Sequence, residues 1–159
     1  MFHRAFTLVL ISFVFCISSA MAAAPTDPVV NETVINAPVA NVWNAFTTKE
    51  GVESWMAAHA EVDLRIGGTM RVTHKADGVI GDESTIENTY LSYQPQRMLS
   101  FRATKAPKDF PFKTALQNMW TVILLEPVNE IQTKITVTSQ GFEDNEESQK
   151  MRQFFTAGN

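Results

Sequence analysis

The chain is poor in the residue types on which many active sites depend. It contains a single cysteine, Cys16, among 159 residues. If the first 22 residues are removed, as argued below, no thiol remains, which excludes disulfides, thiolate catalysis and cysteine-bound zinc or iron–sulfur centres. The sequence also lacks a Ser-His-Asp arrangement, a phosphate-cradling loop and a paired-carboxylate motif. We therefore lean against an enzyme and predict no cofactor.

Basic residues are also few, and they are not clustered. There are 13 lysines and arginines against 17 acidic residues, a net charge of −4. A mildly acidic chain without a basic patch argues against nucleic acid or an anionic membrane as a partner.

The first 22 residues have the composition of an export signal. A short basic start, Met1–Arg4, precedes the apolar run Ala5–Ile17, and the small-residue pattern Ala20-Met21-Ala22 follows. This order is typical of a cleavable signal peptide. As a helix the apolar run would span about 20 Å, too short for a bilayer core of about 30 Å, so a stable membrane anchor is the weaker interpretation. We predict cleavage near Ala22 and a periplasmic or secreted protein.

The rest of the chain is predicted to be one domain, residues 30–159, after a short linker at residues 23–29. A domain of this size buries about two thirds of the surface that its unfolded chain exposes, which is enough for a real core. It contains no internal repeat and no low-complexity tract.

The domain begins with one strand and two helical segments. The run Val29–Ile35 is rich in β-branched residues and predicts a strand. Pro38 fixes the backbone where a helix can begin. An amphipathic helix is predicted from apolar residues at i, i+3, i+4 and i+7, namely Val39, Val42, Trp43 and Phe46. The pattern Thr47-x-x-Glu50 predicts a capping box for a second, shorter helix.

From His59 onward the apolar residues recur with a period of two, which predicts strands. Further strands are expected at about Ser84–Tyr93, Met98–Thr104, Leu116–Glu126 and Glu130–Ser139. Their spacing suits an antiparallel meander. A final helix is expected after the acidic run Asp144–Glu147, which suits a helix N-terminus. The predicted order is strand, two helices, six strands and helix.

Several short motifs, in the same order along the chain, carry a resemblance to a known superfamily. They are Asn36-Ala37-Pro38, Val42-Trp43, Phe46, Trp55, Val62–Arg71, Pro95–Phe101, Glu126-Pro127 and Gln140-Gly141-Phe142. Together they resemble the START-like (SRPBCC) superfamily, and within it the branch named after the heat-shock-protein-ninety ATPase activator homologue. The resemblance covers about Val30 to the C-terminus.

The resemblance implies an α+β helix-grip fold. In that fold a curved antiparallel sheet of about six to seven strands wraps around a C-terminal helix, with two short helices after the first strand and a cavity between sheet and helix. The sequence differs from the family in its export signal and in its last helix, which is expected to be only about 14 residues long. We expect the gene to continue past Asn159 with residues that extend this helix.

The resemblance also suggests a cavity for an apolar ligand, although each residue taken alone is more typical of an ordinary core. The candidate lining is Trp43, Phe46, Trp55, Met56, Met70, Val72, His74, Phe101, Trp120, Phe142, Met151, Phe154 and Phe155. His74 shares a strand face with Met70 and Val72, which predicts that it points inward, and Glu87 is its candidate partner as acid or base. A hydrogen-bonded core histidine is the simpler interpretation.

Three further features leave alternatives open. His59, Glu61 and Asp63 share one strand face and all carry metal-ligating atoms, but a solvated polar face is the default and no metal is predicted. The strand Trp120–Leu125 is apolar on both faces, so either both are buried or the outer one meets a partner. The loop Lys105–Phe112 holds two phenylalanines that either gate a cavity or anchor the loop.

Three functional hypotheses follow. The leading one is a non-enzymatic binder or carrier of a small hydrophobic molecule outside the cytoplasm. The second is an enzyme on the same scaffold, cyclase-like or hydrolase-like, which would need His74 in the cavity. The third is a chaperone-regulating module, as the family name suggests. A homodimer stays open in each case.

Overall fold

The structure, a computed structural model, describes residues 26–157. The predicted signal peptide, the first three residues of the predicted linker (23–25) and the last two residues lie outside this range. The elements are β1 (Val29–Ile35), α1 (Val39–Thr47), α2 (Lys49–Glu53), β2 (His59–Val62), β3 (Thr69–Thr73), β4 (Ile86–Gln94), β5 (Met98–Lys105), α3 (Lys113–Leu116), β6 (Trp120–Asn129), β7 (Gln132–Gln140) and α4 (Glu146–Ala157). In residues 26–157 no helix is both long and apolar enough to cross a bilayer.

The strands form one curved sheet in which every neighbouring pair is antiparallel. Its order is β1-β7-β6-β5-β4-β3-β2, so the first strand returns to pair with the last. The chain otherwise runs as a meander from β2 to β7. The α+β helix-grip fold predicted from the sequence is confirmed.

Two local predictions differ from the structure. The second helix is capped by Thr48, whose hydroxyl oxygen accepts a hydrogen bond from the Gly51 N–H at 3.0 Å. Thr47 was expected in this role, but it ends α1 and its hydroxyl donates to the Trp43 carbonyl at 2.8 Å. The strand expected from Leu116 begins only at Trp120, because the residues up to Leu116 form the short helix α3.

The sheet has an inner face, which carries the helices and the buried side chains, and an outer face. Strand β6 distinguishes the two faces. Its inner-face residues Thr121, Ile123 and Leu125 are buried, whereas its outer-face residues Trp120 and Leu124 are 38% and 41% exposed. The strand carries apolar residues on both faces, and those on the outer face are exposed to solvent. Burial of both faces is therefore wrong, and a partner on the outer face stays a prediction.

The inner face carries two separate apolar clusters. The first joins α1 and α2 to strands β2 to β7; its buried members are Val42, Trp43, Val52, Ala60, Met70, Val72, Tyr90, Leu99, Ile123, Leu125 and Ile135. The second joins α3 and α4 to the start of β1; its buried members are Val29, Ala115, Leu116, Met119, Phe142 and Met151.

Candidate functional site

A set of polar side chains separates the two apolar clusters on the inner face. Directly paired residues of antiparallel strands share a face, so two rows can be followed across the sheet. One row is Val29, Ser139, Thr121, Phe101 and Tyr90, and the next is Asn31, Val137, Ile123, Leu99 and Tyr93. Neither row contains a charged residue. We call Asn31, Asn88, Tyr90, Thr121 and Ser139 the polar seam.

Tyr90 is the most buried member of the polar seam. Its exposed fraction is 0%, and its ring belongs to the first apolar cluster. Its hydroxyl is buried and has no hydrogen-bond partner in the part of the chain that the structure describes. Burial, together with the negative charge of Asp63, raises the pKa of Tyr90 to about 12. The hydroxyl therefore stays protonated and able to donate at any physiological pH.

The other seam residues are also left without protein partners. The side-chain nitrogen of Asn31 is buried and unpaired among the described residues. Asn88 lies two residues before Tyr90 and faces Ala103, on the inner face. Within residues 26–157 the side chains of Asn88, Thr121 and Ser139 make no hydrogen bond. Of the five seam residues, only Tyr90 and Asn31 thus carry a side-chain polar atom that is both buried and unpaired among the described residues, a condition that most proteins avoid.

The structure distributes the predicted cavity residues among several places. The first cluster contains Trp43, Met70 and Val72, with Phe46, Met56 and Phe101 packed against it. The second contains Phe142 and Met151, with Phe155 packed against it. Four lie largely in solvent: Trp55, His74, Trp120 and Phe154. The predicted residues therefore form two cores and a set of surface positions, and only Phe101 lies in a row with Tyr90.

The prediction that His74 points inward is wrong. Strand β3 ends at Thr73, so the alternation that would turn His74 toward Val72 stops one residue earlier. Thr73 is fully buried and hydrogen bonds to Ser84 at 2.8 Å, whereas His74 is exposed. Glu87 was its expected partner, but the Glu87 carboxylate instead forms an ion pair with Arg71, with 3.8 Å between Oε2 and Nε. The enzyme hypothesis therefore loses the arrangement on which it depended.

Two exposed aromatic residues have structural roles. The Trp55 indole N–H donates to the Ala45 carbonyl at 3.0 Å, and its ring packs edge-on against Phe46, which fixes α2 to α1. Phe154 of α4 contacts the rings of Phe110 and Phe112 at centroid distances of 6.3 and 5.9 Å. These contacts favour the interpretation in which the two phenylalanines anchor the loop after β5.

The three residues weighed as metal ligands lie on the solvent-exposed surface. His59 and Asp63 are exposed, and Glu61 forms an ion pair with Arg71 at 3.5 Å. Between Thr26 and Ala157 no three side chains of metal-binding type are grouped for a metal ion. The arrangement is that of a solvated polar face.

A separate cleft of about 830 Å³ lies on the surface beside Trp120. Its polar groups are largely paired within the protein. The Thr26 hydroxyl donates to the Phe142 carbonyl at 2.7 Å, and the Asn118 amide donates to Glu143 at 2.7 Å. The polar seam, whose groups are unpaired, is therefore the better candidate site.

Sequence reasoning missed the polar seam. The predicted lining consists mainly of aromatic, aliphatic and sulfur-containing residues, whereas four of the five seam residues are non-aromatic polar residues. The signal was present in the alternation: Asn31, Thr121 and Ser139 stand at inward positions of strands whose neighbouring inward positions are apolar.

Comparison with known proteins supports the fold and the family resemblance. The family model described as "Activator of Hsp90 ATPase homolog 1-like protein" matches residues 36–158. No curated protein sequence matches this chain.

Solved structures with the same fold come from several organisms. A protein from Mesorhizobium loti has a TM-score of 0.63 at 19% identity, over 83% of this chain and 88% of that one. The Aha1 dimer from Colwellia psychrerythraea has a TM-score of 0.61 at 14% identity, over 83% and 90%. An HSP90 activator from Plasmodium falciparum has a TM-score of 0.57 at 13% identity, over 82% and 88%. Identities this low show a shared fold and no more.

Proposed function

Since this chain belongs to the activator of Hsp90 ATPase homolog 1-like family, we propose that it is a non-enzymatic binding domain for a small, uncharged, mostly apolar molecule. The molecule is held on the inner face, between the two apolar clusters. The observation that carries this proposal is the polar seam, in which the buried Tyr90 hydroxyl and Asn31 amide have no partner among the described residues.

The energetics of the seam favour a bound partner. A buried donor without an acceptor costs about 1–3 kcal/mol, and the seam holds two such donors. A ligand that supplies acceptors removes this cost, while its apolar body replaces water on both clusters. No charged residue stands in the two rows that contain most of the seam, so a charged ligand would gain no ion pair there.

The test is ligand capture by the full protein with one blocked variant and one matched control. Native mass spectrometry of protein purified from its own host detects a co-purifying molecule. Uptake of the apolar dye Nile red measures binding to the empty protein. Val137→Glu places a charge on the inner face beside the seam, and Thr138→Glu places the same charge on the outer face one residue later. We expect Val137→Glu to abolish dye uptake and Thr138→Glu to leave it unchanged.

Two results would contradict the proposal. One is the absence of both a co-purifying molecule and dye uptake in the wild-type protein. The other is equal dye uptake by both variants, with circular dichroism showing that each is folded, because the dye would then bind away from the inner face.

We further propose that the protein works outside the cytoplasm. The proposal rests on the N-terminal sequence: the basic start, the apolar run of about 13 residues and the small residues up to Ala22. A fusion of residues 1–30 to a reporter that is active only outside the cytoplasm tests it. Activity of the reporter is expected, and its retention in the cytoplasm would overturn the proposal.

A chaperone-regulating role is the second candidate. It is favoured by the family description and by the neighbour described as an HSP90 activator. Such a role needs the cytosolic chaperone and ATP, so the same reporter fusion separates the two candidates. Cytoplasmic retention together with stimulation of an Hsp90 ATPase would favour the second.

Self-association into a homodimer is also part of the proposal. One neighbour is described as a dimer, and Val30, Trp120 and Leu124 expose apolar surface on the outer face of this sheet. Sedimentation analysis of the wild-type protein and of Leu124→Lys tests it. A dimer that the substitution dissociates is the expected result, and a wild-type monomer at 100 µM would contradict it.

A further inference from the structure

We propose that the Tyr90 hydroxyl selects the ligand by donating a hydrogen bond to an uncharged acceptor, such as a ketone, ester or amide carbonyl oxygen. This inference rests on the proposed function, because it names the ligand class that the inner face would accept. The acceptor would lie in the polar seam, and the rest of the ligand would contact the apolar clusters on either side.

Both unpaired buried atoms on the inner face can donate a hydrogen bond. They are the Tyr90 hydroxyl and the side-chain nitrogen of Asn31. The third such atom, the Nε of Arg71, lies on the outer face between Glu61 and Glu87. The amide nitrogen only donates, and the hydroxyl either donates or accepts, so an acceptor is the one kind of ligand group that can pair with both atoms. Because buried donors lose their hydrogen bonds to water, an acceptor in the ligand increases its affinity, whereas an apolar group in the same place does not.

Packing alone does not need the Tyr90 hydroxyl. Tyr90 is 0% exposed and its ring contacts apolar residues, an environment in which phenylalanine would have the same shape without a buried polar atom. The chain uses phenylalanine at 11 positions and tyrosine at only two. A hydroxyl that lowers the stability of the empty protein is consistent with a role in the bound state.

The surroundings of the Tyr90 hydroxyl also favour an uncharged ligand. Burial and the nearby Asp63 carboxylate keep the Tyr90 hydroxyl protonated, so it meets the ligand as a neutral donor. A neutral donor in an apolar cluster pairs well with a neutral acceptor. A carboxylate would lose its hydration on binding and would find no cation on the inner face to offset that cost.

The experiment compares two probes that differ by one atom group. The first is 2-acetylnaphthalene, a ketone, and the second is 2-isopropenylnaphthalene, in which a CH₂ group replaces the carbonyl oxygen. Binding of each to the full protein is measured by titration calorimetry. The variants are Tyr90→Phe, which removes only the hydroxyl, and the control Thr138→Val, which removes a hydroxyl from the outer face of the sheet.

We expect Tyr90→Phe to weaken ketone binding about tenfold and to leave alkene binding unchanged or slightly tighter, since one net hydrogen bond is lost. Thr138→Val should change neither affinity. The melting temperature of the empty protein should rise by about 3 °C in Tyr90→Phe, because an unpaired buried donor is removed. The carbonyl stretch of the bound ketone should lie at a lower frequency in the wild-type protein than in Tyr90→Phe.

The outcomes separate this inference from the proposed function. If both probes bind the wild-type protein but Tyr90→Phe leaves ketone affinity unchanged, a buried water satisfies the hydroxyl and the inference is overturned while ligand binding stands. If Tyr90→Phe lowers the melting temperature and weakens both probes equally, the hydroxyl is structural and the inference is again overturned. If neither probe binds the wild-type protein, the inference fails, and the Nile red experiment decides whether the proposed function fails with it.

Discussion

At the scale of the residue, Gly141 shows how tightly one position can be constrained. Its φ of 89° is a backbone conformation that residues with a side chain rarely adopt. A Cβ atom there would lie 2.0 Å from the carbonyl oxygen of Asn118. Two penalties therefore act together at this glycine, which joins β7 to the segment that leads into α4. Gly67 carries only the first penalty, because its φ is 76° but the space around it is open.

These two glycines give the first prediction. Gly67→Ala should lower the free energy of unfolding by about 1–2 kcal/mol, the cost of the left-handed conformation. Gly141→Ala should cost clearly more, about 3 kcal/mol or beyond, because the backbone must also move away from Asn118. Urea denaturation of both variants measures the difference. Equal losses would show that the clash at Gly141 is relieved without cost.

Asp82 gives a prediction about acid stability. Its carboxylate accepts hydrogen bonds from the Ser84 hydroxyl and from the backbone N–H groups of Val79 and Ser84, which lowers its pKa from 3.8 to about 2. A depressed pKa stabilises the folded state above the unfolded value, and this contribution is lost as the pH falls from 3.8 toward 2. Asp82→Asn should therefore be less stable than the wild type at pH 5, and the two should converge near pH 2.

The matched control for Asp82 is Asp77→Asn in the same loop. Asp77 makes no hydrogen bond to another residue of the described range, so its stability curve should run parallel to that of the wild type. Thermal melts between pH 2 and pH 6 provide the comparison. A gap between Asp82→Asn and wild type that stays constant down to pH 2 would contradict the assignment.

The residue scale is also where sequence reasoning was weakest. The inward direction of His74 was inferred from alternation, which holds only while the strand continues, and β3 ends one residue too soon. Tyr90 was overlooked because a tyrosine among apolar residues looks like ordinary core. Its significance depends on the absence of an acceptor near its hydroxyl, and only three-dimensional packing decides that.

At the scale of the element, a single carboxylate joins two helices. The Glu147 side chain of α4 accepts hydrogen bonds from the backbone N–H groups of Thr114 and Ala115, at 3.0 and 3.3 Å. These are two of the N–H groups that the first turn of a helix leaves unpaired. Helix α3 has four residues and no side-chain cap of its own, so it depends on its neighbour. This explains why its sequence gave no helical signal.

The elements with strong local signals were predicted well. Strand β1 has the bounds that its β-branched run indicated, and α1 follows the period of Val39, Val42, Trp43 and Phe46. The antiparallel meander from β2 to β7 was also expected. What failed was α3, whose cap comes from a residue more than 30 positions later in the chain.

Removing the bond between α3 and α4 gives the element-scale prediction. Glu147→Ala should lower the free energy of unfolding by about 1–2 kcal/mol, since two backbone donors lose their acceptor. Hydrogen exchange at the amides of Thr114 and Ala115 should accelerate. Glu146→Ala is the control, because Glu146 forms only an exposed pair with Lys150 on its own helix. Equal exchange rates in the two variants would show that α3 does not depend on Glu147.

At the scale of the whole molecule, the domain has two apolar clusters that can unfold separately. The first cluster involves six of the seven strands, whereas the second depends on α3, α4 and the ends of the sheet. Between them the seam supplies polar groups and few apolar contacts. Regions with fewer buried apolar contacts open at lower free energy than the global unfolding reaction. The second cluster is therefore expected to open while the first stays folded.

This division yields the last prediction. Met151 is 0% exposed in the second cluster, and Val52 is 0% exposed in the first. Met151→Ala should cost about 2–5 kcal/mol locally and should accelerate hydrogen exchange in α3 and α4, with β4 and β5 little changed. Val52→Ala should accelerate exchange in the first cluster and the sheet. Uniform acceleration by Met151→Ala would mean that the domain unfolds as a single unit. If the second cluster does open separately, its opening exposes one side of the polar seam, which gives an apolar ligand a route to Tyr90 that does not require unfolding of the sheet.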